Sequence, residues 1–260
     1  MKKFFSYFFG IGEEIEFRNF TLAHFLPILA MIGIIFLIYK FKDKLKDFRG
    51  EEKIRYALAF TMIITEMSYF WRLVGVPSLG ANPHEHLPIT VCGWVVIFGS
   101  YLVLGKSQTL YDICYFWLFS GTLFALITPT MITYTGPTRF RYYQFWLEHT
   151  TGYIAIFYMT FVHKMRPRIK SFIKAYAALV VLAIVAHIAN TTLGPGANYL
   201  FMAELEETKS ILNLLPTNFF LKVLVMGSIV TVMFVLSYLP WYFMYRKAKK
   251  NELLKETAEV

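Results

Sequence analysis

Apolar runs of membrane-spanning length recur along the chain, separated by short polar or basic stretches. A bilayer core of about 30 Å takes roughly 20 residues of helix. Seven runs reach that length, at about 21–40, 54–76, 87–105, 109–129, 144–163, 171–190 and 217–245. Prolines mark several edges: Pro77 follows the second run, Pro88 falls in the first turn of the third, Pro129 closes the fourth and Pro216 precedes the seventh. The pattern predicts an all-α, polytopic membrane protein built as a bundle of seven transmembrane helices.

Basic residues then orient the bundle, because Lys and Arg collect on the cytoplasmic side. The loop after the first run carries Lys42, Lys44, Lys46, Arg49, Lys53 and Arg55. Lys106, then Lys164, Arg166, Arg168 and Lys170, then Arg246, Lys247, Lys249, Lys250 and Lys255 fall on the same side. The other side is diluted by Glu13, Glu14, Glu16, Glu204, Glu206 and Glu207 against Lys2, Lys3, Arg18, Arg139, Arg141 and Lys209. The expected topology has the N-terminus outside and the C-terminus in the cytoplasm. Residues 1–20 read as a retained interfacial segment, 21–246 as the transmembrane domain and 247–260 as a basic cytoplasmic tail.

Composition narrows the function. With 57% hydrophobic and 18% aromatic residues, the chain could not bury its apolar surface as a soluble domain. The net charge of +9 sits between apolar runs, so it speaks for lipid headgroups rather than nucleic acid. Two cysteines, Cys92 and Cys114, both inside apolar stretches, argue against a disulfide framework.

On this topology the polar residues gather at the outer end. His24 starts the first span, His84 and His86 precede the third, Glu148 and His149 begin the fifth, and His187 and Asn190 finish the sixth. Cys92 is expected about 6 Å into the third helix on the same side. Glu66 is expected near mid-bilayer, with Arg72 nearer the surface. An ionisable residue in a span is costly unless it faces the bundle interior or water. The expectation is a polar, His-rich cavity open to the outer leaflet. The plainer readings stand beside it: histidines at helix ends commonly sit at headgroup level, Glu66 and Arg72 can form a structural pair, and Cys114 reads as a small core residue.

A thiol within reach of a histidine is an arrangement for covalent acyl transfer: the imidazole takes the proton and the thiolate attacks an ester carbonyl. Cys92 and His149 enter from one side at similar depth. Metal binding is the rival, since His84 and His86 flank Glu85, but no Cys-x-x-Cys or His-Glu-x-x-His spacing accompanies them and no metal site is predicted. A carrier or channel would also use intramembrane charges, although no internal repeat is visible.

The run His86-Leu-Pro-Ile-Thr-Val-Cys92 resembles a hallmark of the YwaF-like bacterial integral membrane proteins. So do Gly121-Thr122-Leu123 through Leu126-Ile127-Thr128-Pro129, Glu148-His149, Arg166-Pro167, and Asn190 with Asn198-Tyr199. The resemblance runs roughly from His24 to Trp241. It implies kinship with a eukaryotic transmembrane acyltransferase family that remodels ether phospholipids, with a cysteine nucleophile that falls on Cys92 and a histidine partner on His149. Thr90 stands where many bacterial relatives carry a second histidine. The implied protein is a phospholipid acyltransferase of the bacterial cytoplasmic membrane, needing no soluble cofactor and taking membrane phospholipids as partners. Glu148 or Asn190 would orient His149, while His86, Asn198 and Tyr199 would line a headgroup site or stabilise the oxyanion. The alternative is a non-enzymatic lipid-handling or solute-transport protein with a His-rich ligand cavity.

Overall fold

The computed structural model describes residues 2–10, 17–129, 136–203 and 215–258. Glu13, Glu14 and Glu16, together with Glu204, Glu206, Glu207 and Lys209, lie outside the described residues. All regular structure within them is helical. After the short α1 (Lys2–Phe8) come α2 (Leu22–Lys40), α3 (Lys42–Asp47), α4 (Glu51–Gly75), α5 (Val91–Gly105), α6 (Gln108–Trp117), α7 (Leu123–Ile127), α8 (Phe140–Phe161), α9 (Ser171–Leu193) and α10 (Phe219–Ala258). A π-helical turn, Leu118–Thr122, joins α6 to α7 into one continuous rod.

A helix stands at each of the seven predicted spans. Four stretches among the described residues are long and apolar enough to cross a membrane: Leu22–Lys40, Gln108–Ile127, Ser171–Leu193 and Phe219–Asn251. The other three differ for physical reasons. Charges interrupt α4 and α8, and α5 has only 15 residues.

α6 forms the centre. Tyr111 through Trp117 are all buried, so the helix is enclosed on every side. α5, α8 and α9 pack around it, α4 packs on α5 and α8, and α2 lies against α8. The peripheral α2, α9 and α10 expose apolar faces, with Leu29, Phe36, Val181, Ile188, Leu224 and Leu236 all more than half exposed. Bands of this kind are what lipid contact requires.

Two expected boundaries shift. The third helix begins at Val91, not near Leu87, because Thr90 in extended conformation caps it and its Oγ1 accepts from the Gly93 amide at 3.0 Å. Pro88 therefore precedes the helix rather than occupying its first turn. The last helix does not stop at a separate tail but runs without a break from Phe219 to Ala258, through Pro240.

Candidate functional site

The shift at Val91 moves Cys92 into the opening turn of α5, two residues past the cap, rather than one full turn inside. Amides of a first helical turn lack intrahelical acceptors and place partial positive charge there, a setting that favours an anion. The Cys92 side chain is half-buried. Its one hydrogen-bond partner among the described residues is Thr122, whose Oγ1 donates to Sγ at 3.6 Å. Thr122 closes the π-helical turn, and the turn is braced there: the Tyr153 hydroxyl donates to the Leu118 carbonyl at 2.8 Å. Gly121 permits the approach, since a Cβ at this position would sit 2.9 Å from the Val91 side chain.

Two carboxylates lie within electrostatic reach of the thiol, Glu148 from α8 and Glu66 from α4. Gly93, next to Cys92, makes room for Glu66: a Cβ there would meet Oε1 at 2.6 Å. The sequence pairing of Glu66 with Arg72 is not what the fold makes. Arg72 Nε donates instead to the Phe9 carbonyl at 2.8 Å, and the charges that act on Glu66 are those of Glu148 and Arg141. Arg141 pairs with Glu148 at 3.5 Å, lies over the Tyr69 ring at 4.6 Å and donates to Gln144. Gln144 Nε2 in turn donates to Glu148 at 2.9 Å and to the Thr65 carbonyl at 3.2 Å.

His149 is buried in α8, its ring stacked on Phe145 with centroids 4.1 Å apart. Nδ1 bonds to the Phe145 carbonyl at 2.8 Å. A carbonyl can only accept, so Nδ1 carries the proton and Nε2 holds the lone pair. No described residue is hydrogen-bonded to Nε2, and no hydrogen bond joins it to Cys92. Glu148, which precedes His149, acts electrostatically on the thiol, and the thiol acts in turn on Tyr153, one turn after His149.

The other predicted residues take different places. His24 is fully buried and saturated: Nδ1 accepts from the Phe20 amide at 2.9 Å and Nε2 donates to the Leu126 carbonyl at 2.8 Å, tying α2 to α7. His86 bonds within its own loop to Asn82 and approaches the Tyr69 ring. Asn190 clasps the backbone of Tyr199 in both directions, at 2.7 and 3.0 Å. The Tyr199 hydroxyl then donates to the Pro83 carbonyl and accepts from the Leu87 amide. Asn198 Oδ1 accepts from the Ala203 amide. Asn190 and Tyr199 thus fasten the loop after α9 onto the segment that leads into Cys92. His187 stands apart, exposed, with Phe219 against its ring. A cleft of about 340 Å³, lined by Phe9, Ser68, Trp71, Arg72, Val76 and Phe140 among others, contains none of the histidines.

Sequence reading missed Thr122, Arg141, Gln144 and Tyr153. Among the described residues no three His, Cys, Asp or Glu side chains are grouped as a metal site would require. The model of the TMEM164 family matches residues 19–252. No curated protein and no solved structure matches the chain. The chain therefore belongs to the TMEM164 family, and with its apolar helices it is a multi-pass membrane protein.

Proposed function

We propose that this member of the TMEM164 family is a membrane-embedded phospholipid acyltransferase or transacylase, with Cys92 as nucleophile and acyl carrier. In this reading all seven long helices span the bilayer of a bacterial cell. α4, α5 and α8 are shielded by the more apolar helices, and the basic ends of α2, α5, α8 and α10 face the cytoplasm. Cys92 then opens toward the outer leaflet.

The observation that carries the reading is the setting of Cys92: a thiol in a helix's first turn, held by a single weak hydroxyl contact and bordered by a polar cluster within an apolar bundle. A structural cysteine such as Cys114 is wholly buried, with only the Val95 carbonyl 3.9 Å from its sulfur. The resemblance around His86 to Cys92 supplies the reaction class. In the first half-reaction the thiol proton passes to His149 Nε2, Sγ bonds to the ester carbonyl carbon, and the ester C–O bond breaks. The departing lysophospholipid alkoxide takes the proton back. In the second half-reaction an acceptor hydroxyl gives its proton to His149 and attacks the thioester. The C–S bond breaks, and the departing thiolate takes the proton from His149, which restores the thiol and the neutral imidazole. The first-turn amides of α5 and the Thr122 hydroxyl are placed to hold charge on sulfur or on the carbonyl oxygen.

The purified protein is incubated with a radiolabelled diacyl phospholipid and analysed by mass spectrometry. A hydroxylamine-labile acyl adduct on Cys92 is expected. Absence of the adduct under turnover, or full activity in Cys92→Ser, overturns the reading. A lipid-handling protein without chemistry is the second reading, favoured by the cleft beside Arg72, which lies away from Cys92. Lipid transfer between vesicles that survives Cys92→Ser would establish it.

A further inference from the structure

Arg141 has features that no role described so far uses. Its ion pair with Glu148 is long, at 3.5 Å, and a quarter of the side chain is exposed. Its guanidinium lies over the Tyr69 ring at 4.6 Å and the Phe145 ring at 5.7 Å. A guanidinium lodged over an aromatic ring and still a quarter exposed is suited to capture of a phosphate, although Nη1 also donates to Gln144. Arg141 lies in the first turn of α8, about 10 Å along the axis from Glu148 at 1.5 Å per residue, and its side chain reaches inward to cover that distance. Glu148 is in turn the charge that acts most strongly on Cys92. A phosphate on Arg141 would thus sit beside Glu148, the carboxylate whose charge acts most strongly on the thiol. Glycerol connects the phosphate and the ester carbonyl of a phospholipid through only a few bonds.

We infer that Arg141 is the phosphate-binding residue of a phospholipid headgroup site above Cys92, and that the lipid phosphate takes Arg141 over from Glu148 on binding. Two carboxylates, Glu66 and Glu148, share this one guanidinium, and no described residue donates a hydrogen bond to Glu66. Exchange of partners therefore leaves Glu148 without its cation. The uncompensated charge on Glu148 then favours the imidazolium that His149 becomes when it takes the Cys92 proton. Phospholipid binding and readiness for proton transfer become one event.

This inference rests on the acyl-transfer reading, so binding is measured without turnover, in full-length protein carrying Cys92→Ser. The probes are dioleoyl phosphatidylcholine, whose headgroup has no net charge to attract the basic cytoplasmic face, and dioleoylglycerol, which lacks the phosphate. Phosphatidylcholine should bind tighter than dioleoylglycerol. Arg141→Gln should weaken phosphatidylcholine roughly tenfold and leave dioleoylglycerol unchanged. Arg141→Lys, which keeps the charge and so guards against loss of the fold, should retain an intermediate affinity. Glu148→Gln removes the competing carboxylate and should tighten phosphatidylcholine several-fold, an opposite sign that misfolding would not produce. Inorganic phosphate should compete only weakly. Equal binding of phosphatidylcholine by Arg141→Gln and the Cys92→Ser parent, or phosphate displacing the lipid completely, overturns the inference. An acyl adduct on Cys92 with binding indifferent to Arg141 sinks only this site. Arg141-dependent binding without any adduct sinks only the chemistry.

Discussion

The two ends of the helical bundle each hold a buried ionic cluster, and the clusters differ in whether their hydrogen bonds close. At the basic end, Glu51 accepts from Arg55 on both oxygens at 3.0 Å, from Tyr158 at 3.0 Å and from His163 at 2.7 Å. Arg55 Nη1 donates to the Val103 and Leu104 carbonyls, the unsatisfied end of α5, at 2.7 and 2.9 Å. Every charge there has a partner with good geometry. At the Cys92 end, two carboxylates share one loosely paired guanidinium, the thiol has one weak contact, and His149 keeps a lone pair unused. A closed network stabilises and is chemically quiet, whereas a buried cluster with spare valences can change partners.

The comparison is broken most severely at Cys92. Cys92→Ser should lower turnover at least roughly a thousandfold while leaving the unfolding midpoint near the parent's, since it removes a nucleophile and little packing. A steady-state rate and a thermal melt on one preparation separate the two. Arg55→Met is the mirror case. It leaves two helix-end carbonyls without their donor and Glu51 with only Tyr158 and His163, and should cost about 3 kcal/mol of stability in detergent unfolding, with the rate per folded molecule preserved. His149→Gln should reduce turnover about a hundredfold, the scale of a lost general base. A pH–rate profile that stays unchanged in that variant would remove His149 from the mechanism.

The smallest effect belongs to Glu51. Burial pushes its carboxyl upward, but hydrogen bonds from His163, Arg55 and Tyr158 and the Arg55 charge outweigh it, so it titrates below the ordinary 4.5. A depressed folded-state value means that its contribution is present above about pH 4.5 and is lost as pH falls through that lowered value. Melting temperatures measured across the acid range should therefore decline in the parent and decline less in Glu51→Gln.

Much of this contrast was legible in the residues. Apolar run length located the seven long helices, and the gathering of His24, His86, Glu148, His149 and Asn190 at the Cys92 end followed from helix order alone. What escaped depended on tertiary partners. Thr90 read as a missing histidine because its role as a cap appears only once Pro88 and Ile89 leave the helix. Arg141 read as a loop charge, since nothing in the sequence brings Tyr69 from a different helix beneath it. His24 read as a cavity residue, yet the Leu126 carbonyl that saturates it lies 102 positions away. The π turn left no local signal, because it arises where Gly121 meets Val91 and Tyr153 meets Leu118. The last helix was cut short because charge was taken as its end, although Lys and Arg favour a helix C-terminal half as well as any tail.

That π turn also sets a phase. A helix with an i→i+5 turn carries one residue more than its α-helical length needs, so everything beyond it is rotated by about 100° relative to an uninterrupted helix. Thr122 meets Cys92, and Leu126 meets His24, only with that offset. Deleting one residue, Phe119, would allow a regular helix with its hydrogen bonds intact and its apolar character retained. The thiol would nevertheless lose its hydroxyl. In α6–α7 the surplus residue acts as a dial that aims the chain at the site, and its removal would leave a helix that still fits the bundle but points elsewhere.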